Sequence, residues 1–242
     1  MPVELMIAAG IVFGAMVVRG FTGFGGALLM VPLLGLVWDI RLAIVVVALI
    51  QLVTGAMLVV MSRRSLDRPT LIPVLVWSVI GLAGGSLLLA SLPVIWIARI
   101  LGIVTIGIGL VTLFQRVNVA RKPGRSAGAI TSAVGLTAGV LHGLIGTSGP
   151  VVVPYLQRVL PNPAQMRSTL LAYFLVLDVL RTGGYLQLGL ISMDAIERGA
   201  LLIPVAIVGS VIGSRAQVQV SDEVFRIAVS VLLIVSGALL LT

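Results

Sequence analysis

Apolar runs as long as a membrane span recur throughout this chain of 242 residues. The clearest are Leu42–Met61, Thr70–Leu89, Ile95–Phe114 and Glu223–Leu241, each near the roughly 20 residues that a helix needs to cross a bilayer. Only 10% of the residues are charged, against 59% that are apolar, whereas a soluble domain carries about 25% charged residues. The sequence therefore predicts an all-α polytopic transmembrane bundle with almost no soluble mass.

Ten apolar segments can be placed, five in each half of the chain. They lie near residues 3–18, 22–38, 42–62, 70–91, 94–116, 126–142, 149–160, 168–190, 196–216 and 223–242. We predict a first transmembrane repeat, 1–116, a basic cytoplasmic linker, 117–125, and a second repeat, 126–242. The second and seventh segments look too short to span, which predicts half-helices, re-entrant segments or the second parts of broken helices. Such backbone must be buried in protein or line a cavity.

A glycine motif occurs in both halves. The first motif, Arg19–Gly26, and the second motif, His142–Gly149, both interrupt apolar runs. A shift of 123 positions superimposes Gly20, Gly23 and Gly26 on Gly143, Gly146 and Gly149. A further likeness joins Ile80–Ser86 to Val208–Ser214 at a shift of 128. Glycine clusters are poor material for a helix interior, and a matched pair of broken apolar segments points to the binding site of a transporter.

The helix starts that follow the two motifs are the predicted anion site. A helix start offers free backbone N–H groups and a positive dipole end, and glycine lets a ligand approach closely. We predict that the substrate lies between the two starts. The predicted binding residues are Arg19, Thr22, Gly23, Phe24, Gly25, Gly26, His142, Gly146, Thr147, Ser148 and Gly149. The alternative is that the glycines only allow helices to cross tightly.

Five polar side chains inside apolar segments need an explanation, because such groups are expensive in a membrane. For Arg19, one alternative is a role as ligand or gate, and the other is that its side chain extends to the membrane interface. For His142, one alternative is titration near neutral pH, and the other is a neutral packing role. Asp178 and Arg181 share one helix face and can pair, for coupling, gating or structure. Gln51, in the corresponding segment of the first half, is a candidate for a further polar contact.

Basic loops set the predicted orientation. The loops at Arg63–Arg68 and Arg116–Arg125 should face the cytoplasm. The halves are inverted if all five segments of each half cross, and parallel if each short segment only completes a broken helix; the charge bias favours inversion. The pairs Gly10/Gly14, Gly81/Gly85, Gly135/Gly139 and Gly209/Gly213 have the spacing that lets helices pack closely in lipid.

Several functions are excluded by composition. The chain has no cysteine, which excludes disulfides, thiol redox chemistry and thiolate metal sites. It has no phosphate-binding loop, nucleophile pattern or metal-ligand cluster, so we predict no enzyme activity, no cofactor and no metal. The net charge of +8 is explained by loop arginines facing anionic lipid, so nucleic acid is not an expected partner. The expected partners are a small anion and membrane lipid, with a homodimer left open.

The glycine-rich stretches Gly20–Pro32 and Gly143–Pro154, each leading into a proline-bearing apolar helix, resemble those of the TauE/SafE family of sulfite exporter-like permeases. The duplication, the basic central loop and the length also agree, so the resemblance covers essentially the whole chain. It implies a multi-pass permease of the bacterial inner membrane that exports sulfite, an organosulfonate such as sulfoacetate, or another small anion. Arg19 opposite His142 departs from strict repeat symmetry.

We therefore expect export of a small oxyanion. Moving one negative charge out of the cell gains about 2.3 kcal/mol per 100 mV, so no ATP is needed, and proton coupling through Asp178 or His142 stays open. One alternative is an uptake permease or channel for another small anion. The other is a non-transporting membrane scaffold subunit whose glycines serve packing.

Overall fold

The structure, a computed structural model, describes residues 2–61, 66–114, 127–160, 162–215 and 222–241, and all its regular elements there are helices. They are α1 (Pro2–Thr22), α2 (Gly26–Leu34), α3 (Ile40–Met61), α4 (Arg68–Ser91), α5 (Val94–Phe114), α6 (Ala127–Ile145), α7 (Gly149–Val159), α8 (Pro163–Gln187), α9 (Met193–Arg215) and α10 (Asp222–Leu239). The predicted all-α fold is confirmed, and a helix lies at each predicted segment. The predicted linker 117–125 and the loop arginines Arg63, Arg64 and Arg116 lie outside the described residues.

Seven of the described helices are long and apolar enough to cross a membrane: α1, α3, α4, α5, α6, α8 and α9. The two helices that follow the glycine motifs are short, with 9 residues in α2 and 11 residues in α7. At a rise of 1.5 Å per residue, α7 covers only about half of a hydrocarbon core of about 30 Å. Each carries a proline, Pro32 in α2 and Pro154 in α7. That the short helices complete broken spans stays a prediction.

The helices form two compact units. The first unit contains α1, α2, α3 as far as Ile50, α5, α9 and α10; the second contains α3 from Gln51, α4, α6, α7 and α8. Each unit draws on both halves of the sequence, so the units do not coincide with the predicted repeats 1–116 and 126–242. The two repeats and their inversion stay predictions.

In the first unit, α1 packs along α9 through glycines. A Cβ atom at Gly20 would collide with the backbone of Ser210 and Ser214, and one at Gly213 would collide with the backbone of Val17. The two helices therefore approach as closely as their backbones allow, which is the arrangement that small residues permit in lipid.

In the second unit, α4 packs along α6 in the same way. A Cβ atom at Gly143 would meet the backbone of Leu82 and Ser86, and one at Gly85 would meet the backbone of Val140. Each of these five residues corresponds to one of the five residues named for the first unit. The two on α6 follow their counterparts on α1 by 123 positions, and the three on α4 precede their counterparts on α9 by 128 positions. The contact between the long helices is thus the same in both units.

The prediction that glycine pairs serve packing is confirmed for three pairs out of four. Gly81/Gly85, Gly135/Gly139 and Gly209/Gly213 all lie against the backbone of a neighbouring helix. It is wrong for Gly10/Gly14 within the described chain, where a Cβ atom at either position would have nothing within 4 Å. Equal spacing along a helix does not determine whether another helix lies against that face.

Candidate functional site

The second motif forms the turn between α6 and α7. Gly146 has a φ of 76°, in the left-handed region that glycine adopts without strain, and its N–H donates to the carbonyl of His142 at 2.9 Å. Ser148 is the N-cap of α7, and within the described residues no side chain caps that helix by a hydrogen bond. Pro150 has no N–H, and the N–H of Val151 donates to the carbonyl of Ser148 at 3.1 Å. Among the first residues of α7, Gly149 is therefore the one that can offer a backbone donor, at the positive dipole end of the helix.

His142, near the end of α6, is held at both ring nitrogens. Its Nδ1 lies 3.1 Å from Ser148 Oγ, and its Nε2 lies 3.1 Å from Asp178 Oδ1 on α8. All three side chains are buried. His142 therefore joins the start of α7 to the carboxylate of α8, and its two bonds fix the orientation of the ring.

Arg181 lies on the same face of α8 as Asp178. Its NH2 group donates to Asp178 Oδ1 at 3.2 Å and to Gln51 Oε1 at 2.9 Å. Both side chains of the ion pair are 0% exposed. The predicted pairing of Asp178 with Arg181 and the predicted polar contact of Gln51 are confirmed. Asp178 Oδ1 is thus within hydrogen-bond distance of both His142 and Arg181.

The other nitrogens of Arg181 are unsatisfied. Nε and NH1 are buried and have no hydrogen-bond partner in the described part of the chain. A guanidinium carries five N–H donors, and a buried donor without a partner costs about 1–3 kcal/mol. NH1 lies against Gly146, where any side chain would occupy the same space. Glycine is thus needed there both for the positive φ and for the close approach of the guanidinium.

Two tyrosines on α8 hold the cluster in place, and sequence reasoning missed both. The Tyr185 hydroxyl donates to the carbonyl of Gly143 at 2.6 Å, and its ring centre lies 5.8 Å from the Arg181 guanidinium carbon. The Tyr173 hydroxyl is hydrogen-bonded to Ser78 Oγ of α4 at 2.8 Å. The spacing of Asp178, Arg181 and Tyr185 along one helix face was the available signal for Tyr185.

The first motif has similar backbone features in the first unit, except at the N-cap, where Gly25 is left-handed and Ser148 of the second motif has a φ of −126°. α1 ends at Thr22 and α2 begins at Gly26. Gly23 and Gly25 have φ values of 82° and 88°, and Gly25 is the N-cap of α2, with no side-chain cap in the described structure. The uncapped helix start is therefore present in both units.

The side chains of the first motif differ from those of the second. Arg19 is 2% exposed, so its head group does not extend to the surface of the chain; its Cδ atom lies 2.8 Å from where a Cβ of Gly26 would be. Phe24 is half-buried, Thr147 of the second motif is buried, and the side chain of Thr22 lies outside the described part. The predicted placement of the substrate between the two helix starts stays a prediction.

Seven span-length helices, two uncapped helix starts at glycine breaks and a buried arginine with unused donors are features of a multi-pass membrane transporter. The sequence profile of the family described as "Sulfite exporter TauE/SafE" matches residues 6–240. The chain belongs to this family, which is a transporter family and not an enzyme family. The resemblance of the glycine-rich stretches is thereby confirmed.

Two curated relatives match part of the chain. The "Probable inner membrane transporter protein TsaS" of Comamonas testosteroni is 31% identical over 163 residues, which cover 65% of this chain and 66% of that protein. The "Probable sulfite/organosulfonate exporter TauE" of Cupriavidus necator is 27% identical over 139 residues, covering 55% and 54%. The chain thus spans just under two thirds of the first relative and about half of the second. No solved structure gives a significant match.

Proposed function

We propose that this protein exports sulfite or an organosulfonate such as sulfoacetate from the cytoplasm across the bacterial inner membrane. Membership of the sulfite exporter family supports this proposal, and so does the name of the Cupriavidus necator relative. The inner-membrane location follows the name of the Comamonas testosteroni relative and agrees with the seven span-length helices.

One observation carries the assignment of the site. Nε and NH1 of Arg181 are buried and unpaired within the described residues, and NH1 lies beside Gly146, three residues before α7 begins. A guanidinium forms charge-assisted hydrogen bonds to oxyanions through each of its N–H groups. A sulfonate or sulfite oxygen would satisfy a donor that has no partner within the described residues.

Further donors lie in the same turn as Gly146. The uncapped start of α7 favours an anion, and the hydroxyls of Thr147 and Ser148 lie in the turn that precedes it. A sulfonate head needs several donors because its charge is spread over three oxygens. We assign the role of principal cation to Arg181, backbone donation to Thr147–Gly149, close approach of the guanidinium to Gly146 and orientation of Ser148 to His142.

The first motif is proposed to hold a second anion-binding group. Arg19 is buried in the first unit near the uncapped start of α2 at Gly25. Its hydrocarbon part packs on Gly26. Together with Gly23 and Phe24, it would favour the presence of an anion in that unit.

Transport by the purified protein in liposomes tests the proposal. We expect saturable flux of sulfite and sulfoacetate and little flux of acetate. Single cysteines introduced into this cysteine-free chain determine its orientation in the liposomes. Relative to that orientation, we expect transport away from the cytoplasmic side. Saturable flux that is solely inward would show an uptake permease. An absence of saturable flux with all three anions would show a scaffold subunit and contradict the proposal.

A further inference from the structure

We propose that the second unit binds a proton together with the anion, and that the proton is taken up by the His142–Asp178 pair. This inference rests on the proposed function, since it names the ion that accompanies the oxyanion at the same site. It concerns binding equilibrium and holds for either direction of transport.

The geometry that carries the inference is one shared oxygen atom. Asp178 Oδ1 accepts from Arg181 NH2 at 3.2 Å and lies 3.1 Å from His142 Nε2. The three side chains are at most 1% exposed. Because the carboxylate contacts both the anion-binding cation and the histidine, a change at either group alters the electrostatic energy of the other.

With His142 neutral, the two charges of the ion pair shown at Asp178 balance without substrate. Arg181 supplies one positive charge and Asp178 one negative charge. A monovalent sulfonate beside Arg181 would leave one uncompensated negative charge, which is unfavourable in a buried cluster. A proton on the pair restores neutrality, so the anion and the proton each favour the binding of the other.

The neighbouring side chains named below, all from the described residues, cannot compensate the added negative charge of the anion near neutral pH. From α3 the cluster receives the amide of Gln51, from the turn before α7 the hydroxyl of Ser148, and from α8 itself the ring of Tyr185. Helix α4 contributes the hydroxyl of Ser78, which is bonded to Tyr173. All of these groups are uncharged near neutral pH.

The proton can bind at either member of the pair. It binds either a carboxylate oxygen of Asp178 or a ring nitrogen of His142, and the two groups titrate as a coupled pair. With the imidazole protonated, both ring nitrogens are donors, and Ser148 Oγ and Asp178 Oδ1 are already in place to accept. The protonated pair also attracts Arg181 less, which leaves the guanidinium freer to bind the anion.

The linkage is measured by binding methanesulfonate to the purified protein. This anion is fully ionised throughout the range of about pH 5 to about pH 8 in which histidine titrates, so any proton taken up binds the protein. We expect the Kd to rise with pH by up to about tenfold per unit. Calorimetry in two buffers with different heats of ionisation should show proton uptake that approaches one proton per anion.

Matched variants locate the proton. Asp178→Asn keeps a hydrogen-bonding side chain but cannot be ionised, so it should bind methanesulfonate with a Kd that no longer depends on pH. Asp194→Asn is the control, because Asp194 pairs with Arg198 at 2.7 Å in the same helical fashion but is exposed. It should retain the pH dependence of the parent.

The outcomes separate the two proposals. Binding by the parent with no pH dependence and no proton uptake would overturn the coupling while leaving the anion site intact. A pH dependence that persists in Asp178→Asn would remove the pair from the linkage. If Asp178→Asn does not fold, the calorimetry of the parent still decides whether a proton is taken up. No saturable binding of methanesulfonate by the parent would overturn both the sulfonate site and the coupling.

Discussion

The two glycine motifs share their packing glycines and a positive φ at Gly23 and Gly146, but they differ at the N-cap of the following helix and in their side-chain chemistry. In the first unit, Gly20 packs on α9, and Arg19 is the buried charge beside an uncapped helix start. In the second unit, Gly143 packs on α4 through equivalent atoms, but the position of Arg19 is taken by His142, which is bonded to Asp178. The glycines thus pack their helices in the same way in both units, while the buried charged side chains differ between the units.

The third helix of each half shows the same contrast. A shift of 127 positions aligns Gln51 and Thr54 of α3 with Asp178 and Arg181 of α8. An uncharged pair therefore stands where the other half has an ion pair. The amide and the carboxylate both accept from the NH2 group of Arg181. This buried ion pair therefore lies in the second half of the chain, where we place Arg181, the principal cation of the proposed site.

The largest effect is expected from valine at the packing glycines. Gly20→Val and Gly143→Val should both greatly reduce the yield of folded protein or its melting temperature, because the side chain would collide with a neighbouring backbone and overpacking costs about 1–3 kcal/mol or more. Gly10→Val is the control, since a Cβ there has nothing within 4 Å among the described residues. Thermal unfolding in detergent measures all three. A large loss at only one of the two packing positions would break the equivalence of the units.

The next effect separates the two arginines. Arg181→Lys keeps the charge beside Asp178 but removes the fork of donors, so sulfonate binding should weaken by roughly 1.5–3 kcal/mol, which is about tenfold to a hundredfold. Arg19→Lys should have a smaller effect, because Arg19 already has interaction partners whereas Nε and NH1 of Arg181 have none within the described chain. Titration calorimetry with sulfoacetate gives both values.

The control for the two arginines is Arg198→Lys, in an exposed ion pair with Asp194. It should leave the Kd for the anion unchanged. An exposed ion pair contributes only about 0–1 kcal/mol to stability, and this one is not part of the proposed site. Equal losses in Arg19→Lys and Arg181→Lys would mean that both units bind the anion with similar strength, which would contradict a principal role for Arg181.

The smallest effect is expected at the hydroxyl of the second motif. Ser148→Ala should weaken sulfonate binding by about 1 kcal/mol if the hydroxyl contacts the ligand, which is the usual net value of one hydrogen bond. The first motif has no matching hydroxyl, since Gly25 stands at the aligned position. Ser132→Ala, which removes an exposed hydroxyl bonded to Ala129 on α6, should leave the Kd unaltered. A Ser148→Ala variant that binds like the parent would limit the contacts to Arg181 and the backbone.

Much of the fold could be predicted from the sequence because the bilayer dictates the length and apolarity of a span. The short helices α2 and α7 were predictable for the same reason, since glycine clusters interrupt the apolar pattern. The pairing of Asp178 with Arg181 needed only the period of the helix. In each of these cases the determining interaction is local in the chain.

The rest of the site depends on tertiary packing. His142 reaches Asp178 across 36 positions, and Gln51 reaches Arg181 across 130, so no local spacing indicates either contact. Sequence reasoning considered His142 and Asp178 as separate candidates, although one carboxylate oxygen serves both histidine and arginine. The same limit applies to Gly10 and Gly14, whose spacing matches that of the packing glycines but which lie against no other helix of the described chain.

The central claim is that Arg181 binds the transported oxyanion in the second unit. Selenite is a chemical analogue of sulfite, and its selenium can be located by anomalous scattering in crystals of the protein. The account predicts a selenium peak near the start of α7, with an oxygen about 3 Å from Nε or NH1 of Arg181. A well-occupied peak beside Arg19 with none at Arg181 would contradict it.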